Sequence, residues 1–318
     1  MTASIVLLAL TTANLGPIHV DMPIESVGGI KLDRGPKRPL EVRATFPKTG
    51  GPYPVIVFSH GMYGSGEAVM PITDEFARHG YSVFAPTHGD SLRYADASTV
   101  RGALQGRLDN VSSWSERPGE VSFLIDRLET LEGLAPGLKG KIDADRIGVG
   151  GHSFGAWTAQ VVAGMTLARS LTMADPRPQA FLVISPTGIG PGISESSLKA
   201  MRGPLMMISG DNDRGRFEGD PSVYRRQAFE HASPGDKYLV WIEGAYHNFG
   251  GINGQSTEGR RPLVGGELMG PGNRKHVEAV FRTSVAFWDA HLKSDESALK
   301  WLQQDGWKEL EGVTVSSK

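Results

Sequence analysis

The chain has 318 residues, 39% apolar and 8% aromatic, with a formal net charge of −2. Such a composition suits one large globular α/β domain or two small ones, and it carries no electrostatic footprint for nucleic acid. There is no cysteine, which excludes disulfides, thiolate metal sites and a cysteine nucleophile.

Residues 4–10 form a short apolar run followed by Thr11-Thr12-Ala13. Two readings stand, the end of an export signal or a buried N-terminal segment, and a periplasmic or secreted location is favoured over a cytoplasmic one. No run is long enough to span a bilayer, so no stable membrane insertion is expected. Residues 17–24 and 40–46 read as the first two strands, paired as a hairpin around Gly28-Gly29. Residues 53–58 are a continuous apolar strand, the form taken by strands buried on both faces of a parallel sheet. A helix over 67–79 ends at Gly80, and 81–85 is the fourth strand. A helix over 118–131 carries Pro118 in its first turn. Residues 146–149 are a strand running into a helix over 154–165. Further strands follow at 180–184, 205–209 and 238–242, with a helix bearing Val223 and Phe229 between the last two. A long amphipathic helix over 277–292 closes the pattern, its apolar face including Val277, Phe281, Phe287 and Trp288.

Eight strands alternating with helices predict an α/β fold, an open, mostly parallel sheet with helices on both faces. The chain reads as a possible signal remnant or N-terminal segment over 1–14, a single catalytic domain over 15–293 and a C-terminal extension over 294–318. Long irregular stretches at 88–117 and 248–273 begin at strand ends and are expected to border a site.

The segment Gly151-His152-Ser153-Phe154-Gly155 has the Gly-x-Ser-x-Gly form of a nucleophile elbow. In a chain with 41 glycines the pentapeptide could arise by chance; the strand before it and the helix after it supply the context the motif needs. Glycines on either side let the backbone turn sharply, which lifts the Ser153 hydroxyl above the sheet at a helix N-terminus. A serine needs a base, here expected to be a histidine held by a carboxylate; in the α/β-hydrolases, whose elbow this segment resembles, the chain order is Ser, acid, His. The seventh strand leads into Gly210-Asp211-Asn212-Asp213 and the eighth into Tyr246-His247-Asn248. Gly-x-x-Asp, the usual spacing in such hydrolases, favours Asp213, with Asp211 as a turn former and the competing candidate. Two aimed N–H donors are needed for an oxyanion, and losing one costs about 3 kcal/mol. Phe154 N–H is one candidate, and Met62 N–H in Ser59-His60-Gly61-Met62-Tyr63-Gly64 is the other. Tyr63, His152 and Trp114 are candidate substrate contacts, with Trp157 more at home in the core. His60 and His152 are also suited to orienting loops, and His88 could reach substrate. Arg93, Arg101 and Arg107 could bind an anionic group or be solvated surface charges. The stretch 185–199 is too short for a large helical cap, so an open site is expected.

At these residues the chain resembles the serine esterases of the α/β-hydrolase superfamily. The likeness is to the branch of platelet-activating-factor acetylhydrolase-like and dienelactone hydrolase-like proteins, whose core cutinases and chlorophyllases share. It is carried by Val57-Phe58-Ser59-His60-Gly61, His79-Gly80-Tyr81-Ser82-Val83-Phe84-Ala85-Pro86, the serine pentapeptide and the Phe287-Trp288 helix, and covers roughly residues 15 to 293. It implies an α/β-hydrolase fold and a serine hydrolase of the carboxylesterase type, acting through an acyl-enzyme on short- to medium-chain or bulky esters. The triad would be Ser153, Asp213 and His247, with no metal or organic cofactor and a small-molecule or polymer ester as partner. There are departures. In the acetylhydrolase type the acid follows the sixth strand, where this chain has Ser185-Pro186, so the acid moves one strand on, as in dienelactone hydrolases and cutinases. The dienelactone hydrolase nucleophile is cysteine, and the cutinase disulfide cannot form here. A peptidase or amidase, an acyltransferase, or a non-catalytic binding protein on the same fold are the alternatives.

Overall fold

The structure, a computed structural model, describes residues 21–96, 111–168, 171–214, 219–254 and 266–318. Expectations placed on residues 4–13 and 17–20, on Arg101 and Arg107, and on 255–265 lie outside the described residues.

In chain order the strands are β1 (Ile24–Arg34), β2 (Lys37–Pro47), β3 (Tyr53–Ser59), β4 (Ser82–Thr87), β5 (Ile142–His152), β6 (Ala180–Ile184), β7 (Leu205–Asn212), β8 (Lys237–Tyr246) and β9 (Val313–Ser317). They form one sheet in the order β1-β2-β4-β3-β5-β6-β7-β8-β9. Strands β3 to β8 pair parallel, while β1, β2 and β9 add antiparallel edges. The helices are α1 (Met70–Arg78), α2 (Val111–Asp126), α3 (Leu128–Leu134), α4 (Phe154–Val162), α5 (Glu195–Lys199), α6 (Pro221–Tyr224), α7 (Gln227–His231), α8 (Gly266–Met269), α9 (Arg274–Leu292) and α10 (Glu296–Gln303).

Alternation within the parallel strands feeds two cores. Val55 and Val57 point to one, with Val121 and Leu124 of α2 and Ala156 of α4. Ile56 and Phe58 point to the other, with Phe76 of α1 and Phe287 of α9. Both faces are therefore covered, as a parallel sheet requires. Gly148 of β5 makes room for the second layer: an added Cβ there would lie 2.5 Å from the ring of Trp288. Trp288 is fully buried and meets Phe76 edge-on, with ring centroids 6.2 Å apart.

Four sequence expectations need correction. The sheet has nine strands, not eight, because residues beyond 293 fold back: α10 packs its Trp301 into the second core and β9 pairs antiparallel with β8. The first strand is Ile24–Arg34, and the hairpin turns at Gly35-Pro36 rather than Gly28-Gly29. Asp33 accepts the Gly35 N–H at 2.9 Å and closes that turn. Gly28-Gly29 is instead absorbed at a register shift between Val27 and Ile30, a bulge inside the strand. Pro118 lies in the middle of α2, not in its first turn. The turn before it buries Ser113 and Arg117, and those contacts hold the helix through the missing N–H. The single helix expected around Val223 and Phe229 is two short ones, α6 and α7.

Truncation of Trp288 to alanine should remove about 3–5 kcal/mol of stability, because the rigid sheet beneath cannot collapse into the void. Denaturant unfolding measures this; a loss below about 1 kcal/mol would mean that the second core is not packed as described.

Candidate active site

The site is built on the ends of the parallel strands. β5 ends at His152, and Ser153 turns the chain at φ +60° and ψ −118° before α4 begins at Phe154. Few non-glycine residues adopt a positive φ. Gly151 and Gly155 make it possible: a Cβ on Gly151 would run into the Gly155 backbone, and one on Gly155 would lie 2.9 Å from the His60 carbonyl oxygen and overlap that of Ser59. The Ser153 N–H donates to Ile184 O at 2.9 Å, which ties the turn to β6.

His247 is the first residue beyond β8, and its Nε2 lies 2.9 Å from Ser153 Oγ. Its Nδ1 lies 2.7 Å from Oδ1 of Asp213, the first residue beyond β7. Facing an ionised carboxylate, Nδ1 carries the hydrogen, which leaves the Nε2 lone pair for the Ser153 proton. Asp213 is fully buried. Ser185 Oγ lies 2.7 and 2.8 Å from its two oxygens, Ser209 Oγ donates to Oδ2 at 2.8 Å, and Arg225 Nε stands 3.4 Å from Oδ2. Burial alone would raise the Asp213 pKa. Arg225, the His247 hydrogen bond and Ser185 outweigh it, so the carboxyl is held well below its usual range. Asp211 points elsewhere, accepting Trp241 Nε1–H at 2.8 Å and Gly244 N–H at 2.7 Å.

Gly61 brings the loop after β3 against Ser153: an added Cβ there would stand 3.6 Å from Ser153 Cβ. Phe154 N–H opens α4 and has no carbonyl one turn back. No hydrogen bond from Met62 N–H appears among the described residues. Both N–H groups belong to segments that meet at Ser153. The Met62 side chain is 42% exposed, Tyr63 is half-buried, and Trp114 is 40% exposed with its ring 4.8 Å from that of Phe154. Trp157 is buried beneath them.

Two histidines expected near substrate are not available to it. His152 is buried; its Nε2–H donates to His247 O at 2.7 Å, and its Nδ1 accepts from Asn253 Nδ2 at 3.1 Å. It braces His247 from behind. His88 is fully buried, accepting Ser59 Oγ–H at Nε2 and donating from Nδ1 to Glu120, both at 2.7 Å. Arg93 pairs with Glu67 at 3.0 Å and approaches Glu41 at 3.6 Å. Ser185, Ser209 and Arg225 were not singled out from the sequence. Ser185 had a signal, since it stands at the strand end where the acetylhydrolase type carries its acid; Arg225 had none. Between β6 and β7 the chain adds only α5, a helix of five residues. Among the described residues no cluster of three or more histidines and carboxylates could hold a metal ion, and no helix is long and apolar enough to cross a membrane.

Comparison with known proteins agrees with this architecture. A family model described as Chlorophyllase matches residues 16–186, more than half of the chain. The match includes the loop after β3 and the serine turn, and it stops before Asp213 and His247. The chain is also 22% identical over 284 residues to the platelet-activating factor acetylhydrolase of Cavia porcellus. That alignment covers 80% of this chain and 61% of the relative, so the chain spans about three-fifths of the relative's length.

The buried imidazoles make stability depend on pH. His60, His88 and His152 are all pushed below the ordinary imidazole value, chiefly by burial, His152 to about 3. An unfolded imidazole titrates near 6.5. Below about that pH the unfolded chain binds protons that the native chain refuses, so stability falls as pH falls. The contribution is complete above about 6.5 and disappears as pH approaches the folded values. Thermal unfolding midpoints should be level from about pH 8 to 7 and decline steadily below about 6.5. His152→Gln should flatten part of that decline, and a level midpoint down to about pH 4.5 would refute this account.

Proposed function

Because the chain belongs to the chlorophyllase family, and because a serine, an imidazole and a buried carboxylate stand in hydrogen-bonded line at its strand ends, we propose that it is a serine hydrolase cleaving carboxylic esters through an acyl-enzyme. The single observation that carries this reading is the continuous chain Ser153 Oγ to His247 Nε2 at 2.9 Å and His247 Nδ1 to Asp213 Oδ1 at 2.7 Å. The relative named as an acetylhydrolase, that of platelet-activating factor, is in keeping with removal of an acyl group by hydrolysis.

In this reading Ser153 Oγ attacks the ester carbonyl carbon as His247 Nε2 takes its proton. Asp213 keeps the ring in the required tautomer and balances the imidazolium. The carbonyl oxygen, now an oxyanion, receives the N–H groups of Phe154 and Met62. His247 then gives its proton to the leaving alcohol oxygen. Water follows the same route: His247 takes its proton, its oxygen attacks the acyl carbon, and the proton returns to Ser153 as the acid leaves. No step calls for a metal or organic cofactor. The apolar wall of Met62, Trp114 and Phe154, with only a short segment between β6 and β7, suits short- to medium-chain or bulky acyl and alcohol groups, on small molecules or at a polymer end.

Hydrolysis of a series of p-nitrophenyl esters tests the proposal. Wild-type protein should turn over the shorter esters and take a fluorophosphonate label on Ser153. Ser153→Ala and His247→Ala should each lower kcat by about a millionfold, and Asp213→Asn by about ten-thousandfold. Asp211→Asn should stay within a few-fold of wild type. No turnover with any ester and no label would end the esterase reading; a dead Asp211→Asn beside an active Asp213→Asn would reassign the acid.

A further inference from the structure

The residues that hold Ser153, His247 and Asp213 leave a second buried ionic cluster unexplained, on the opposite side of the serine. Arg117 of α2 is fully buried, and the side chains of Arg117 and Asp90 are each only 1% exposed. The pair is bidentate, with Nε to Oδ1 at 2.9 Å and Nη2 to Oδ2 at 2.8 Å. An ion pair this deep contributes little net stability compared with apolar side chains of the same volume. What it supplies is direction, and its remaining hydrogen bonds say where it points.

From Nη1 the guanidinium donates to His60 O at 2.6 Å, and from Nη2 to Gly61 O at 3.1 Å. Gly61 O also accepts from His60 Nδ1 at 2.6 Å and from Gly64 N–H at 3.1 Å. The Gly61 carbonyl and the Met62 N–H belong to one planar trans peptide, so they point in opposite directions. Fixing the carbonyl among these donors fixes the N–H on the other side, and donors on the carbonyl polarise the amide into a stronger donor itself. The peptide after Met62 is held by the other half of the pair: Asp90 Oδ2 accepts Tyr63 N–H at 3.2 Å. Tyr63 has φ +64°, an unfavourable backbone for a non-glycine residue, which persists only where its surroundings hold it. The guanidinium also lies over the Phe154 ring, 4.2 Å from its centroid, beside the residue that carries the second free N–H.

We propose that Arg117 and Asp90 are the positioning residues of the oxyanion site, one ion pair gripping both peptides that flank Met62 and aiming the Met62 N–H at the substrate oxygen. The proposal rests on the serine-hydrolase reading above. It assigns to a residue of α2 and a residue after β4 an effect on the transition state that neither could exert by contact with substrate. The oxyanion exists only after attack, so a misaimed donor lowers kcat and leaves ground-state binding nearly untouched.

The test uses the full chain with Arg117→Lys, Asp90→Asn and the paired Arg117→Met/Asp90→Asn variant, which removes both charges together. Active sites are counted by fluorophosphonate titration, so that unfolded protein does not enter kcat. On p-nitrophenyl butyrate, kcat per titrated site should fall by about 10- to 100-fold in the paired variant, with KM within about twofold of wild type. The affinity for a trifluoromethyl ketone, which binds Ser153 as a tetrahedral oxyanion, should fall by the same factor as kcat/KM. Per-site kcat within about twofold of wild type in the folded variants overturns the proposal, as does a loss confined to the titrated fraction. Should every Arg117 variant fail to fold, Asp90→Asn decides alone, with a drop of about 10-fold in per-site kcat expected and an unchanged kcat refuting the clamp. A wild-type protein that neither hydrolyses esters nor labels at Ser153 removes the esterase reading itself. A wild type that does both beside unaffected variants removes only the role of Arg117 and Asp90.

Discussion

The backbone reversal at Ser153 is the constraint from which the rest of the site follows. A left-handed φ at a serine is tolerated here because glycines at 151 and 155 let α4 start directly against the end of β3. That close approach brings the loop after β3 to the serine and leaves the first N–H of α4 without an acceptor. The parallel sheet then does the gathering. His60, His88, Ser153, Ser185, Asp213 and His247 are each the first residue beyond a strand, from β3 through β8. Because these strands run in one direction, all six emerge at one edge. Four neighbouring strands, β5 to β8, each deliver one member of the hydrogen-bonded group that holds the imidazole.

Buried charge at this edge is organised in pairs. Asp213 faces Arg225, and Asp90 faces Arg117. An isolated ion at such depth would be costly, and a deep pair stabilises little beyond its own desolvation. Each pair instead anchors backbone: Arg225 donates to the carbonyls of Asp213 and Pro186, and Arg117 to those of His60 and Gly61. The loops at the strand ends are thus cross-braced by guanidinium groups where no ladder hydrogen bonds reach.

The parts of this arrangement that leave a local pattern were legible in the chain. Ser153, Asp213 and His247 could be singled out because a serine elbow, a carboxylate and a histidine follow in the α/β-hydrolase order at strand ends, and continuous apolar runs such as Val55-Ile56-Val57-Phe58 mark central strands. Other parts carry no local signal. β9 is Val-Thr-Val-Ser-Ser, mostly exposed, and becomes a strand only because β8 offers an open edge. Gly28-Gly29 and Gly35-Pro36 could each have turned the first hairpin, and the Asp33 side chain closes the second. His88 and His152 looked accessible because their partners, Glu120 and Asn253, lie 32 and 101 residues away in the chain. Pro118 suggested a helix start because the residue that carries the helix past it, Arg117, is engaged only in tertiary contacts.

The engaged imidazoles have one further effect. His152 lies against His247, ring centroids 4.9 Å apart, yet one of its nitrogens is already giving its hydrogen away and the other is already receiving one. His60 and His88 are committed in the same manner. His152 is bonded to the backbone carbonyl of His247 and not to its ring, and the ring's Nδ1 faces the buried Asp213. In the proposed cycle a proton taken up at Nε2 is therefore handed on from Nε2, toward whatever occupies the space above Ser153.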